Sequence, residues 1–269
     1  MPGRPAKKFT DYIRRDISEV CSLDDYAASP ASTFCEEIVD ISDAVAHCIR
    51  NFPKKTNAEL TEASEDSLGQ ITAATLGTIM GHFELYQRFT FSTAFELTRH
   101  LPNFDFKNCA RDLTKDSGLN IDVSTLMAYR GQPAPIGQLV ADNLHSWHDP
   151  DKVNRYFKAI FSSLNFYSSQ EADSLRVLWQ LRHSMVHTGG WLTLPDAQKV
   201  HQLRAYGGQG IFLSENFTEV VARRLHQIVA RATSRLDKAM AGHFPSEILT
   251  SDEYKKFVAI KSPRRVWLR

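Results

Sequence analysis

The sequence has few cysteines, and none is placed as a disulfide scaffold or a zinc ribbon would require. The four cysteines are Cys21, Cys35, Cys48 and Cys109, and no two of them form a Cys-x-x-Cys pair. Small secreted domains and zinc ribbons depend on closely spaced cysteines, so we expect neither class here. The cysteine pattern instead favours a protein of a reducing compartment.

Long apolar runs are also missing. The most apolar windows, at 71–83 and 177–186, are short and contain polar residues, so neither is expected to span a bilayer. The first eight residues are polar and basic, and no apolar segment follows them, which argues against a signal peptide. We therefore predict a cytoplasmic protein without a membrane partner.

Charge of one sign is not in excess, because the formal net charge of the 269 residues is +1. Such a chain is not expected to coat a polyanion with its whole surface. Any contact with nucleic acid must therefore come from a local basic patch. Hydrophobic residues make up 42% and charged residues 23% of the chain, as is typical of a soluble globular protein.

Segments that alternate apolar and polar residues are rare, whereas apolar residues at helical spacing are common. This spacing predicts an all-α fold, a helical bundle with loop insertions and an extra N-terminal helical segment. Between the helices, 60–68 is expected to be an acidic connection, and 191–210 an irregular insert with room for a short strand or helix. The expected helices cover 9–20, 33–52, 68–101 with a break near 89–92, 136–147, 151–164, 169–186 and 216–241.

The residues with the most capacity for chemistry lie at the end of one of these helices. The pair Gly189-Gly190 is expected to stop that helix, and its last turn carries Arg182, His183 and His187. The spacing between Arg and His has no weight by itself, since a chain with this many of both residues contains such pairs by chance. Five residues also leave the two side chains about 140° apart on a helix, unless the last turn frays.

The residue types suit phosphodiester chemistry. Histidine exchanges a proton near neutral pH, and the arginine guanidinium presents a fixed positive fork to phosphate oxygens. Together they could activate a ribose 2′-hydroxyl and stabilise a crowded phosphorane without a metal. Only RNA carries that hydroxyl, so RNA is the substrate that this chemistry indicates.

The segment Leu181–Gly190 resembles the signature of the HEPN superfamily. In that signature an Arg and a polar residue precede a His at the end of a late helix, and Val186 and Gly189 occupy positions where an apolar residue and a glycine are common. The long helix that contains Glu84 resembles an early HEPN helix, in which an aromatic-rich stretch often carries an acidic residue. The resemblance is to the ribonuclease-like branch of the superfamily.

The resemblance implies a metal-independent endoribonuclease without a cofactor, of the kind found in toxin and antiviral defence systems. Arg182 would stabilise the phosphate in the transition state, and His187 would be the general acid and base. His183 would orient one of them or contact the substrate, and Glu84 would pair with Arg182 or orient His187. The alternative is a catalytically inactive HEPN module that binds RNA, a nucleotide or a partner protein.

HEPN proteins dimerise so that two Arg–His motifs share a cleft, which implies a homodimer with a composite active site. An antitoxin or another regulatory partner is also expected. On the last long helix, Arg223, Arg224 and Arg231 form either one side of an RNA groove or a solvated face. The expected units are 1–60, an N-terminal tail and helical extension; 61–242, a HEPN-like helical domain; and 243–269, a basic C-terminal tail.

Metal binding is a further interpretation of the same turn. His183 and His187 are four residues apart and share a helix face, and His145 and His148 could add ligands. No Glu follows His183, however, so the zincin pattern is absent.

Two other interpretations stay open. Leu181-Arg182-His183-Ser184 resembles the Leu-Arg-His-Thr box of tyrosine recombinases, and Tyr206 follows it, although the upstream residues of that family are missing. Alternatively, the arginine and both histidines are ordinary polar residues at a helix end.

Overall fold

A 36-residue helix, α3 (Glu62–Leu97), forms the centre of the protein in a computed structural model that describes residues 22–115, 118–130 and 135–263. Four consecutive side chains, 89–92, are buried, so α3 is enclosed on all sides there. The other helices are α1 (Leu23–Ala28), α2 (Pro30–Asn51), α4 (Phe106–Lys115), α5 (Val123–Ala128), α6 (Ile136–Asn143), α7 (Pro150–Ile160), α8 (Ser169–His187), α9 (Leu194–Lys199), α10 (Phe217–Ala241), α11 (Ser246–Leu249) and α12 (Asp252–Phe257).

The all-α class predicted from the periodicity is confirmed, since helices dominate the described chain. The strands found in it are β1 (Trp191–Leu192) and β2 (Gln209–Gly210), and short 3₁₀ helices cover Thr98–His100 and His201–Tyr206. No helix within the described ranges is both long and apolar enough to cross a membrane.

The central helix differs from its prediction at both places where an interruption was expected. The acidic segment expected as a connection at 60–68 forms the first turns of α3, because Thr61 caps the helix by accepting from Ser64 N–H and Glu62 and Glu65 lie in the first turn. The expected break near 89–92 is also wrong. That stretch contains no proline or glycine, and burial on every side stabilises the continuous helix.

The main core surrounds α3, against which α1, α2, α6, α7, α8 and α10 pack. Aromatic rings fill much of it: the rings of Phe157 and Phe166 stack with centroids 3.8 Å apart, and Phe83 lies between Phe34 and Trp179. This packing fixes α8, the helix that ends at the Arg–His turn, along one side of α3.

Both expected terminal units contribute to the same core where the structure describes them. Tyr26 and Phe34 from the N-terminal side join Tyr254 and Phe257 from α12 in the main hydrophobic cluster. The hydroxyl of Ser32 donates to the carbonyl of Ala259 at 3.0 Å. Residues 243–263, expected as part of a tail, are therefore packed rather than free. The helix expected at 9–20 and the basic end at 264–269 lie outside the described residues.

The insert at 191–210, expected to be irregular with room for a short strand or helix, contains both kinds of element. β1 and β2 pair antiparallel, with Trp191 opposite Gly210 and Leu192 opposite Gln209. Between them, α9 and the following 3₁₀ helix bury a small core of their own, which packs against Val177 and Leu181 of α8. The members of that core are Leu192, Ala197, Val200 and Leu203. The insert thus lies beside the helix that carries the Arg–His turn.

Candidate active site

The first turn of α8 is closed by its own cap and by two arginines. The Ser168 side chain accepts from Glu171 N–H and the Glu171 carboxylate accepts from Ser168 N–H, so the two residues form a capping box. The same buried carboxylate pairs with Arg231 at 2.8 Å and with Arg235, both from α10. Burial raises the pKa of Glu171, but the Ser168 N–H bond and the two arginines outweigh it and lower the pKa below its ordinary value.

Arg182 lies on the same face of α8 as Glu171, eleven residues further on. Steps of four, three and four residues connect Glu171, Leu175, Leu178 and Arg182, and the two leucines are buried. The Arg182 side chain is half-buried at the end of this inward face. Its Nε is buried and has no hydrogen-bond partner within the part of the chain that the structure describes. An unpaired, partly desolvated guanidinium is suited to hold an anion.

The glycine pair ends α8 as predicted. Gly189 and Gly190 have φ of +62° and +89°, a left-handed conformation that side chains with a Cβ rarely adopt. The carbonyl of Ser184 accepts from Thr188 N–H at 3.1 Å and from Gly190 N–H at 3.0 Å. These bonds hold the chain tightly around the last helical turn, so the end of α8 is a fixed structure.

The two histidines of the last turn lie side by side. The rings of His183 and His187 are 4.7 Å apart between centroids, as expected for residues one turn apart on a helix face. Nε2 of His183 is 4.0 Å from Oδ2 of the buried Asp196 on α9, and His187 is exposed. Hydrogen bonds from Lys199 and Thr193 lower the pKa of Asp196, which keeps a carboxylate beside His183.

Arg182 and His187 do not share a hydrogen bond within one chain, among the residues described. Arg182 is on the inward face and His187 is exposed, which matches the angle of about 140° expected from their spacing on an intact helix. The last turn does not fray, since α8 continues to His187. A substrate, or a second copy of the chain, would have to bring the two groups to one phosphate.

Glu84 is not part of this turn. Its carboxylate pairs with Arg88 at 2.7 Å, one turn further along α3, and Arg88 also lies 3.6 Å from Asp142. Across the described ranges, Glu84 has neither a hydrogen bond nor an ion pair with Arg182 or His187. The structure therefore offers no support for the expectation that Glu84 would orient either group.

The arginines expected at an RNA groove are divided between two positions. Arg224 and Arg231 line a cleft of about 470 Å³ between α8 and α10, together with Arg235 and Glu171. Arg223 instead pairs with Glu219 of its own helix at 2.5 Å. The cleft contains three guanidinium groups against one carboxylate, so it is a basic surface at the opposite end of α8 from the histidines.

The structure also gives information on the metal-binding and recombinase interpretations. Within the described ranges no group of three or more His, Cys, Asp or Glu side chains is arranged to hold a metal ion, so the third ligand beside His183 and His187 is missing there. Tyr206 is exposed at the end of the 3₁₀ helix in the insert. Tyr206 has no hydrogen bond with Arg182 among the described residues. Its exposed side chain can be reached by an external DNA strand.

A cavity of about 600 Å³ adjoins the end of α8. Met185, Gly189, Gly190 and Phe212 line it from the helix end and the chain after β2, and the first turns of α3 form the facing wall. Another cavity, of about 530 Å³ between α4 and α7, contains none of the predicted site residues. The cavity of about 600 Å³ therefore borders the glycine pair that ends α8, although neither Arg182 nor the histidines line it.

Sequence reasoning missed Asp196 and Trp191. A signal for Asp196 was present, because Thr193 followed by Pro195 and Asp196 is a helix-start pattern, and Thr193 does accept from Asp196 N–H. The approach of α9 to His183 depends on the tertiary packing of the insert, which no local pattern specifies.

No protein-family model matches the sequence, and comparisons with curated proteins and with solved structures also give no match. The resemblance to HEPN proteins therefore depends on the residues of the Arg–His turn alone.

Proposed function

We propose that the protein is a metal-independent endoribonuclease of the HEPN type, with its active site at the end of α8. The observation that carries the proposal is the state of Arg182. Arg88, Arg176, Arg231 and Arg235 all hold carboxylates, whereas the buried Nε of Arg182 has no partner among the described residues. A buried donor without a partner is costly, and an anionic ligand would satisfy it.

The proposed reaction uses the 2′-hydroxyl of the RNA as its nucleophile. His187 accepts the hydroxyl proton, the 2′ oxygen attacks the adjacent phosphorus, and the bond from phosphorus to the 5′ oxygen breaks. The departing 5′ oxygen takes a proton from a second histidine or from water, and the other product ends in a 2′,3′-cyclic phosphate. Arg182 stabilises the charge that develops on the phosphorane oxygens, and His183, beside Asp196, orients His187.

A homodimer fits this proposal, because Arg182 and His187 diverge on the helix of one chain. A second copy facing the first would place its own His187 near the phosphate held by Arg182. The resemblance to HEPN proteins also suggests a role in toxin or antiviral defence, with an antitoxin or other regulator as partner.

The test is cleavage of a labelled single-stranded RNA by the purified protein in EDTA. We expect cleavage to continue in EDTA, to yield 2′,3′-cyclic phosphate ends, and to stop when the scissile nucleotide is 2′-deoxy. His187→Ala should abolish it, whereas His145→Ala, which removes an exposed histidine elsewhere, should not. Intact RNA with the wild-type protein, or equal cleavage by His187→Ala, overturns the proposal. Loss of cleavage in EDTA indicates a metal enzyme, and covalent capture of DNA by Tyr206 indicates a recombinase.

The second candidate function is an inactive module that binds RNA, a nucleotide or a partner protein. The cleft lined by Arg224, Arg231 and Arg235 favours it, because three guanidinium groups around one carboxylate can hold phosphates without any chemistry at His187. RNA that binds tightly, with a steep dependence on salt, but is never cut would select this function.

A further inference from the structure

The cleft between the first turns of α8 and the middle of α10 offers mainly hydrogen-bond donors to a ligand. Its lining includes Gln170 and Ser174 from α8 and Arg224, Gln227, Ile228 and Arg231 from α10. Among the described residues that line it, Glu171 is the one carboxylate and Ile228 is the one large apolar side chain. None of them is aromatic, so this lining has no ring on which a nucleobase could stack. A ligand would therefore be held through charge and hydrogen bonds.

The three arginines of the cleft are engaged to different degrees. Arg235 donates to the carbonyl of Phe166 through Nε and Nη2, at 3.0 and 2.9 Å, and it also holds Glu171. Arg231 donates to Glu171 through Nε at 2.8 Å, and its side chain is 56% exposed. Arg224 is exposed and has neither a hydrogen bond nor an ion pair among the described residues. The guanidinium of Arg224 and the terminal nitrogens of Arg231 can therefore bind an anion without loss of a contact that the structure describes.

Positive charge exceeds negative charge on the two helices that form the cleft. α8 and α10 contain seven Arg or Lys side chains but four carboxylates. Each carboxylate already has a partner: Glu171 pairs with two arginines, Asp173 with Arg176, and Glu219 with Arg223, and Asp237 accepts from the Tyr254 hydroxyl. No carboxylate of these two helices is thus left over to neutralise Arg224, and the surplus of cations favours an anionic ligand.

The cleft is long enough for more than one phosphate. Arg224, Gln227 and Arg231 follow one another on α10 at steps of four or three residues, so they share one face of the helix. Seven residues separate the two arginines, which places them about 10 Å apart along the helix axis. A guanidinium presents a planar fork to phosphate oxygens. Two such forks at the ends of a two-turn face suit neighbouring phosphates of one strand.

Helix α8 sets the distance between this cleft and the candidate active site. Arg182 lies on the same side of α8 as Glu171 and eleven residues further on, about 16 Å along the axis. The distance is fixed, because α8 is a continuous helix packed along α3. A stacked strand advances about 3.4 Å per nucleotide, so about five nucleotides cover this distance, and fewer do so in an extended strand.

We propose that Arg224 and Arg231 form a phosphate subsite that holds the RNA backbone within about five nucleotides of the phosphate at Arg182. Phosphate contacts fix the register of a strand without reading its sequence. The subsite would therefore align the RNA for cleavage and set a minimum substrate length. The inference rests on the proposed ribonuclease function. It differs from the inactive module because one strand occupies both ends of α8.

An acidic protein segment is the competing occupant of the cleft, since carboxylates also suit guanidinium groups. Protein interfaces have an apolar core, whereas the described lining of the cleft offers one large apolar side chain, Ile228. A phosphodiester backbone needs no apolar contact. The composition of the cleft therefore favours RNA, and an acidic polypeptide is an outcome that the test distinguishes.

The first test measures the affinity of fluorescent single-stranded RNAs for the full-length His187→Ala protein at several salt concentrations. Arg224→Gln and Arg231→Gln should each weaken the binding of RNAs of different sequence alike, and each should lower the slope of log Kd against log salt by about one. Arg223→Gln is the matched control, because Arg223 adjoins Arg224, pairs with Glu219 and does not line the cleft. It should keep the affinity and the slope.

The second test locates the subsite relative to the cut. Single phosphates of the RNA are replaced, one at a time, by neutral methylphosphonates, and cleavage by the wild type is measured. Replacement at one or two linkages within about five nucleotides of the cut should raise KM and leave kcat unchanged. In the double variant Arg224→Gln, Arg231→Gln, the same replacement should have no further effect, because the groups that contact this phosphate are gone.

The outcomes separate this inference from the proposed function. If the wild type cuts RNA but Arg224→Gln binds and cuts it like Arg223→Gln, the subsite is wrong and the ribonuclease proposal stands. If the wild type never cuts but both cleft variants lose affinity and salt slope, the ribonuclease proposal is wrong and the phosphate contacts stand. Methylphosphonate effects that are as large in the double variant as in the wild type overturn the subsite. Polyglutamate that binds as tightly as RNA of equal charge also overturns it and assigns the cleft to an acidic protein segment.

Discussion

Arginines lie at both ends of α8, but only those at the first turn are paired with a carboxylate among the described residues. At the first turn, both carboxylate oxygens of Glu171 are occupied by arginines, and the carboxylate also completes the helix cap. At the last turn, Arg182 lies on the same helix face with its buried Nε unpaired among the described residues, and the buried hydroxyl of Ser184 also has no partner there. The polar groups at the first turn are therefore paired within the chain, whereas Arg182 Nε and Ser184 Oγ at the last turn are not, among the described residues.

The difference separates groups that stabilise the fold from groups that are available to a ligand. Buried polar groups in proteins are nearly always hydrogen-bonded, because an unsatisfied one costs about 1–3 kcal/mol. The arginines around Glu171 meet that requirement within the chain. Arg182 Nε is one of ten buried polar side-chain atoms without a partner among the described residues, and it is the one that belongs to a guanidinium, which an anionic substrate would satisfy.

The largest expected effect is the loss of activity in Arg182→Met. If Arg182 stabilises the phosphorane, its removal should lower the rate of RNA cleavage by about 10²–10³-fold, as for other transition-state donors. Stability should change by less than about 1 kcal/mol, because no ion pair is lost and an unsatisfied buried group disappears. Single-turnover cleavage rates and thermal unfolding measure the two effects on the same sample.

The matched control is Arg176→Met on the same helix. Arg176 pairs with Asp151 at 2.6 Å and with Asp173 at 2.5 Å, so its removal should lower stability slightly and leave cleavage unchanged. If Arg182→Met instead destabilises the protein more than Arg176→Met does and cuts RNA at the normal rate, the two ends of α8 do not differ as described.

The next effect is a loss of stability in Glu171→Ala. Removal of a buried carboxylate that holds two arginines and a helix cap should cost about 2–3 kcal/mol, less than a fully buried pair because Arg231 is largely exposed. Glu171→Gln should cost less, since glutamine can still complete the capping box. Denaturant unfolding gives both values, and a Glu171→Gln variant as stable as the wild type would show that the charge contributes nothing.

The pH dependence of the same pair of proteins checks the sign of the electrostatic contribution. The pKa of Glu171 is lowered in the folded state, so its stabilisation is fully present above the unfolded-state pKa of about 4.3 and is lost as the pH falls through the folded-state pKa. The difference in unfolding free energy between wild type and Glu171→Gln should therefore be constant from about pH 5 to 8 and shrink below about pH 4. A difference that grows in acid would contradict the assignment.

Much of the fold follows from local sequence patterns, because amphipathic spacing and caps are local properties. The core helix expected at 169–186 is α8, Ser169–His187, and the helix expected at 216–241 is α10, Phe217–Ala241. The insert was predicted only as irregular with room for a short strand or helix, and the C-terminal segment was predicted as a tail. Their helices are four to six residues long, too short to show a period, and they are stabilised by packing on other elements.

For the candidate site, too, the local features could be predicted from the sequence and the tertiary contacts could not. The glycine pair locates the end of α8, and helix geometry gives the angle between Arg182 and His187. The approach of Asp196 to His183 and the exposure of Trp191 beside the glycines depend on how the insert folds back. No spacing within the sequence encodes that contact.

The smallest expected effect is that of Glu84→Gln. The family resemblance suggested that Glu84 acts at the Arg–His turn, but in the structure it pairs with Arg88. Arg88 follows it by four residues, the spacing of an ion pair on one helix face, so this pairing was visible in the sequence. Glu84→Gln should therefore lower stability by only about 0.3–0.5 kcal/mol, because the pair is partly exposed. Its cleavage rate should remain within twofold of the wild type. A loss as large as that of Arg182→Met would mean that Glu84 leaves Arg88 and enters the active site when RNA or a second copy binds.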